Sequence, residues 1–91
     1  SVTGVQTCAL PIWVKKSLAL RVGTTVRRLR REAGMSQVIF SEHCGFYQTY
    51  LSRLERGQAN PTLNALEVIA GAFNLSIFQF FEQVQLQRSE H

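Results

Sequence analysis

Three glycines, Gly34, Gly45 and Gly57, cut the middle of this chain into pieces too short for anything but brief helices joined by tight turns. Glycine ends helices because it enters the left-handed region with no Cβ to oppose it. The segment before Gly34 carries apolar residues at Leu18, Val22, Val26 and Leu29, with Arg on the other faces up to Glu32. That is the period of one buried helix face. Ser36 then stands where an N-cap belongs, and a second helix is expected from Gln37 to Cys44, burying Phe40 and Cys44. After Gly45, Phe46 leads into a third helix over Gln48 to Arg56, with Leu51 and Leu54 as its apolar side. The loop Gln58-Ala59-Asn60-Pro61 breaks the chain, and Thr62 can cap a fourth helix with Leu63, Leu66, Ile69, Ala70 and Phe73 as its core face and Asn74 in its C-terminal turn. Ser76 can cap a fifth, with Ile77, Phe80, Phe81 and Val84 at helical spacing. No strand pattern or repeat competes. The expectation is an all-α domain of five short helices over 13–87, followed by a polar tail at 88–91, and 91 residues suffice for one modest core.

The stretch before this domain reads differently. Val2 to Ile12, VTGVQTCALPI, resembles the translation of a common high-throughput sequencing adapter. Residues 1–12 are therefore expected to be a non-native leader outside the fold. A clipped signal peptide is the competing reading, but the run lacks a basic start and its apolar part, CALPI, is short.

Charge is unevenly placed. From Trp13 to Gly57 nine Lys and Arg stand against three Glu, a balance of +6, whereas from Gln58 onward one Arg stands against three Glu, a balance of −2. A polarised basic domain favours nucleic acid, because clustered Arg on phosphates releases counterions. The other reading is a solvated basic helix.

Catalytic and metal chemistry have little to build on. Cys8, Cys44, His43 and His91 form no CxxC or HxxxH pattern. Neighbouring His43 and Cys44 diverge by about 100° on a helix, so Cys44 reads as a small buried hydrophobe beside an exposed His43. Two cysteines make no disulfide framework, and a reducing cytoplasm is expected. No apolar run approaches the roughly 20 residues of a bilayer span. With no nucleophile, paired carboxylates or phosphate-cradling loop in view, an enzyme is not expected, nor a metal, cofactor, membrane or small-molecule ligand.

Two short helices about a turn at Gly45 form a helix-turn-helix layout. VGTTVRRLRREAGMSQ followed by GFYQTYLSRLERGQANPTLNALEVIAGAFNLS resembles the phage-repressor (Xre-type) helix-turn-helix family: Leu29-Arg30, Ser36-Gln37, Gly45, Ser52 to Gly57, Asn60-Pro61 and Leu63 to Ser76 fall on its pattern. The Thr-Tyr-Leu-Ser run with Glu-Arg-Gly also looks like the small controller proteins of restriction-modification systems. The resemblance implies a phage-repressor-like fold and a sequence-specific DNA-binding regulator of transcription, a repressor or controller, whose partners are double-stranded DNA and a second copy of itself.

The resemblance also implies roles. Gln48, Thr49, Tyr50, Ser52 and Arg53, on the side opposite Leu51 and Leu54, are the candidate base contacts: Gln can pair with adenine, Arg can fork onto guanine, and the Thr methyl can meet that of thymine. Gln37 matches a phosphate-contacting position, and Tyr47, Arg56 and Asn60 are candidate backbone contacts. Arg30 and Glu55 match a structural salt bridge between the first and third helices.

Some residues depart from the pattern. Tyr47 stands where an N-capping Ser, Thr or Asp is usual, so either Tyr47 serves DNA or a partner, or the helix starts elsewhere. Val38 and Ile39 are apolar at usually polar positions. Together with the fifth helix they keep open an antitoxin or protein-interaction module on the same fold. Phe73, Phe78, Phe80 and Phe81 exceed what one small core readily buries, and the family often dimerises through its last helix. Ile77, Phe78, Phe81 and Val84 are therefore expected at a dimer interface on a palindromic operator, the alternative being one core for all the rings.

Overall fold

The computed structural model describes residues 12–87, with side chains from Leu18 onward. The expected leader, with Cys8, and the tail at 88–91 lie outside the described residues, apart from Ile12. Five helices follow in order: α1 (Ile12–Glu32), α2 (Gln37–Cys44), α3 (Gln48–Glu55), α4 (Leu63–Ala72) and α5 (Ile77–Leu86). No strand occurs among the described residues.

The helix boundaries follow from local chemistry. Ser36 Oγ accepts from the Ile39 amide at 3.1 Å and Thr62 Oγ1 from the Ala65 amide at 3.1 Å, each satisfying one orphan donor of the first turn. Ser76 goes further: its hydroxyl accepts from the Gln79 amide at 3.0 Å while the Gln79 side chain accepts from the Ser76 amide at 2.9 Å, a reciprocal capping box. At the other ends, Gly45 adopts φ 77° and lets the Phe46 amide return to the Ser41 carbonyl at 2.8 Å. Asn74, at φ 61°, closes α4 in the same way, with the Leu75 amide on the Ala70 carbonyl at 2.9 Å.

Each helix sends one fully buried side chain to a common centre: Val26, Phe40, Leu51, Ile69 and Phe80. Phe73 joins them by stacking on Phe40, ring centroids 4.9 Å apart. The long α1 packs against both α3 and α5, α2 packs on α3 and α4, and α4 packs on α5.

Several expectations need correction. Leu18 and Leu63, placed on core faces by their spacing, are 61% and 72% exposed. Spacing identifies a helix face, but each residue sits at the end of its helix, where the neighbouring helix has already turned away. Val84, expected at a dimer interface, is only 4% exposed and lies in this chain's own core, one turn beyond Phe80 on the same face. Ile77 is half-buried against that core. Phe78, by contrast, is 80% exposed. Cys44 is half-buried, and that burial pushes its thiol pKa up by disfavouring the thiolate.

Candidate nucleic-acid interface

Angular position along α3 sorts its residues. At about 100° per residue, Gln48, Ser52, Arg56, Thr49 and Arg53 follow one another around one side, while Leu51, Leu54 and Glu55 fall on the other. Gln48, Thr49, Arg53 and Arg56 are exposed, and Leu51, Leu54 and Glu55 are buried. Ser52 is half-buried, and its hydroxyl accepts from Arg56 Nη1 at 2.7 Å. Arg53 Nη2 donates to the Gln58 carbonyl at 3.3 Å, and Arg56 Nη2 reaches Gln58 Oε1 at 3.4 Å. The two cations are thus steered along the C-terminal end of the exposed face.

Tyr50 does not share that face. It lies roughly 40° from Leu54 around the helix, is half-buried against the core, and meets the Phe46 ring edge-on at 5.3 Å. Its placement among the base-facing residues is therefore corrected: its ring packs with the turn that precedes α3. Tyr47 is the opposite case, 84% exposed at the N-cap with extended backbone and no capping hydrogen bond from its side chain. Asn60 is exposed in the loop between α3 and α4.

Beneath the exposed face runs a chain of polar contacts. Arg30 on α1 and Glu55 on α3 meet in a two-bonded pair, Nε to Oε2 at 2.7 Å and Nη2 to Oε1 at 3.0 Å, with both side chains more than nine-tenths buried. The remaining Arg30 nitrogen, Nη1, donates to the Met35 carbonyl at 2.8 Å, tying in the turn before α2. A buried, bidentate ion pair of this kind fixes geometry more than it adds net stability. Gln37 Nε2 donates to Glu55 Oε1 at 3.0 Å, and Gln48 Nε2 donates to Gln37 Oε1 at 2.8 Å. Gln37 was expected to face phosphate; its side chain is instead engaged within the protein at both ends of its amide.

Two arginines in the cationic run also have interior duties that sequence reading missed. Arg21 Nη2 donates to the Gln85 carbonyl at 2.8 Å and to that of Val84 at 3.2 Å, closing the last turn of α5. Arg28 donates to Gln87 Oε1 and Gln83 Oε1, both at 2.8 Å, and pairs with Glu32 at 3.2 Å. Their spacing of two helical turns, on the side of buried Thr25, is the signal that could have separated them from the outward Arg27 and Arg31. No group of three His, Cys, Asp or Glu side chains that could hold a metal occurs among the described residues. No single described helix is long and apolar enough to cross a membrane.

Two short helices joined at a left-handed glycine, the second turning a hydrogen-bonding face to solvent, define a helix-turn-helix module. The model of the family described as "Helix-turn-helix domain" matches residues 21–77, and the chain belongs to this family. The HTH-type transcriptional regulator y4dJ of Sinorhizobium fredii, itself uncharacterized, is 47% identical over 55 residues, which span 60% of this chain and 71% of that protein. The immunity repressor protein of Bacillus phage phi105 is 30% identical over 71 residues, spanning 78% of this chain but 49% of the repressor. The solved restriction-modification controller protein C.Esp1396I superposes with a TM-score of 0.70 at 30% identity, covering 77% of this chain and 92% of the controller. That controller has also been solved as a tetramer in complex with its natural 35 base-pair operator, with the same TM-score.

Proposed function

We propose that this protein is a sequence-specific DNA-binding regulator of transcription that acts in the cytoplasm as a homodimer on a palindromic operator. The observation that carries the reading is the exposed face of α3, where Gln48, Thr49 and Arg53 stand clear of the core. In the major groove these side chains supply an amide, a methyl with a hydroxyl, and a guanidinium, and each good bidentate pair is worth about 1 to 3 kcal/mol of discrimination. Ser52, tied to Arg56, borders them and completes the set. Tyr47, Arg56 and Asn60 flank that face and are assigned to the sugar-phosphate backbone, which sets register rather than sequence. Relatives named as repressors, regulators and controllers support the assignment. The buried Arg30–Glu55 pair sets the angle at which α3 is presented.

The test is a salt titration of binding to a duplex chosen from a random library. Affinity should fall steeply as salt rises, as counterion release requires. Arg53→Ala should relax preference at one or two base pairs without loss of helicity. An affinity indifferent to salt defeats the reading. It would favour the second one, a protein-interaction module, for which the exposed Val38 and Ile39 on α2 supply an apolar surface.

A further inference from the structure

We propose that Glu55, acting through Gln37, locks the amide of Gln48 in the orientation that accepts adenine and rejects guanine. The inference rests on the reading of α3 as a DNA-contacting helix and assigns Glu55 and Gln37 as positioning residues for one base pair of the operator.

The steps follow from donor and acceptor chemistry alone. The Glu55 carboxylate, held by two bonds from Arg30, only accepts. Whatever approaches its Oε1 must donate, so Gln37 turns its nitrogen toward Glu55, at 3.0 Å. An amide has one oxygen and one nitrogen, so the oxygen of Gln37 is left facing Gln48. That oxygen in turn only accepts, and Gln48 meets it with its own nitrogen at 2.8 Å. The reversed orientation of Gln48 would set two carbonyl oxygens against each other at that distance. A single acidic group on the inner side of α3 thereby decides the polarity of an amide on the outer side.

With one N–H spent on Gln37, Gln48 retains its Oε1 and one N–H, and it makes no other hydrogen bond among the described residues. One acceptor beside one donor complements adenine, which offers the N6 amino donor beside the N7 acceptor. Guanine offers two acceptors, O6 and N7, and calls for two donors. An untethered glutamine can rotate to offer both of its N–H groups, so it accepts either purine. The tethered one cannot.

Sequences selected from a random duplex library by four proteins test this. Wild type should enrich adenine over guanine at one half-site position, and Gln48→Ala should flatten that position and so identify it. Gln37→Met, which removes the acceptor while leaving both Arg30–Glu55 bonds in place, should lower the adenine-over-guanine preference there by about tenfold and leave the other positions unchanged. Gln37→Ala removes the same acceptor and should give the same shift, so the comparison survives if one variant fails to show native helicity. An undiminished adenine preference in both Gln37 variants overturns the proposal. So does uniform weakening at every position, the signature of a phosphate contact by Gln37, or a Gln48→Ala profile identical to wild type. A wild-type protein that enriches no sequence at all defeats the regulator reading itself, and the proposal with it.

Discussion

Gly23 shows how much one missing methyl can set. It lies where α1 crosses the C-terminal end of α3, and a Cβ placed on it would press into the carbonyl oxygen of Leu54 and stand 2.7 Å from that of Glu55. Both obstacles are backbone, so relief requires the helices to part. Gly23→Ala should therefore cost about 1 to 3 kcal/mol, read as a lowered urea midpoint, and should weaken operator binding further by shifting α3. An unchanged midpoint would show that the two helices separate freely. Residues of this kind are illegible in one sequence, because a glycine inside a helical pattern looks only like a weak helix former until its neighbour is known. The exposed Gln48, Thr49 and Arg53 were legible from period alone. Tyr50 was not, because its angle leaves it at the border of the two faces and the nearby Phe46 ring decides the outcome. The Gln37–Gln48 contact joins residues on different helices and had no local signal.

Among the elements, α3 is the one whose start is chemically incomplete. Ser36, Thr62 and Ser76 each cap the helix that follows, whereas Tyr47 leaves the first donors of an eight-residue helix without a side-chain acceptor. A helix this short has little stability of its own and is held by the burial of Leu51 and Leu54. Tyr47→Ser should restore the missing bond and raise stability by about 1 kcal/mol, seen as a higher thermal midpoint of the free protein. If Tyr47 meets the sugar-phosphate backbone, the same variant binds operator more weakly, so stability and affinity move in opposite directions. A gain in both would remove Tyr47 from the interface. The five helices themselves were legible because their stops and caps are spelled locally by Gly34, Gly45, Gly57, Ser36, Thr62 and Ser76. Which apolar residues reach the centre was less so. Leu18 and Leu63 have the right period, but their burial depends on where a second helix ends.

At the scale of the whole molecule, apolar surface remains after the core is complete. Phe40, Phe73 and Phe80 serve the centre, whereas Phe78 stands open and Phe81 lines a hollow of about 270 Å³ with Leu18, Pro61 and Leu63. Exposed apolar surface gathered in this way marks an association site more often than a solvated one. Arg21 and Arg28 clasp the last turn of α5 to α1, so a surface formed by α5 is rigidly tied to the helix that also carries Arg30. A two-fold dimer through α5 would then hold its two α3 helices at a fixed separation, and a spacing of roughly 34 Å would match successive turns of one DNA groove. Phe78→Asp should halve the mass in sedimentation equilibrium while leaving helical content intact, since the ring contributes nothing to the core. The monomer should lose operator affinity far more than it loses affinity for a single half-site, because only the joint engagement of two sites depends on the interface. If the mass stays that of a dimer, association runs through another face, and the half-site spacing found by selection would then have to be explained from that face.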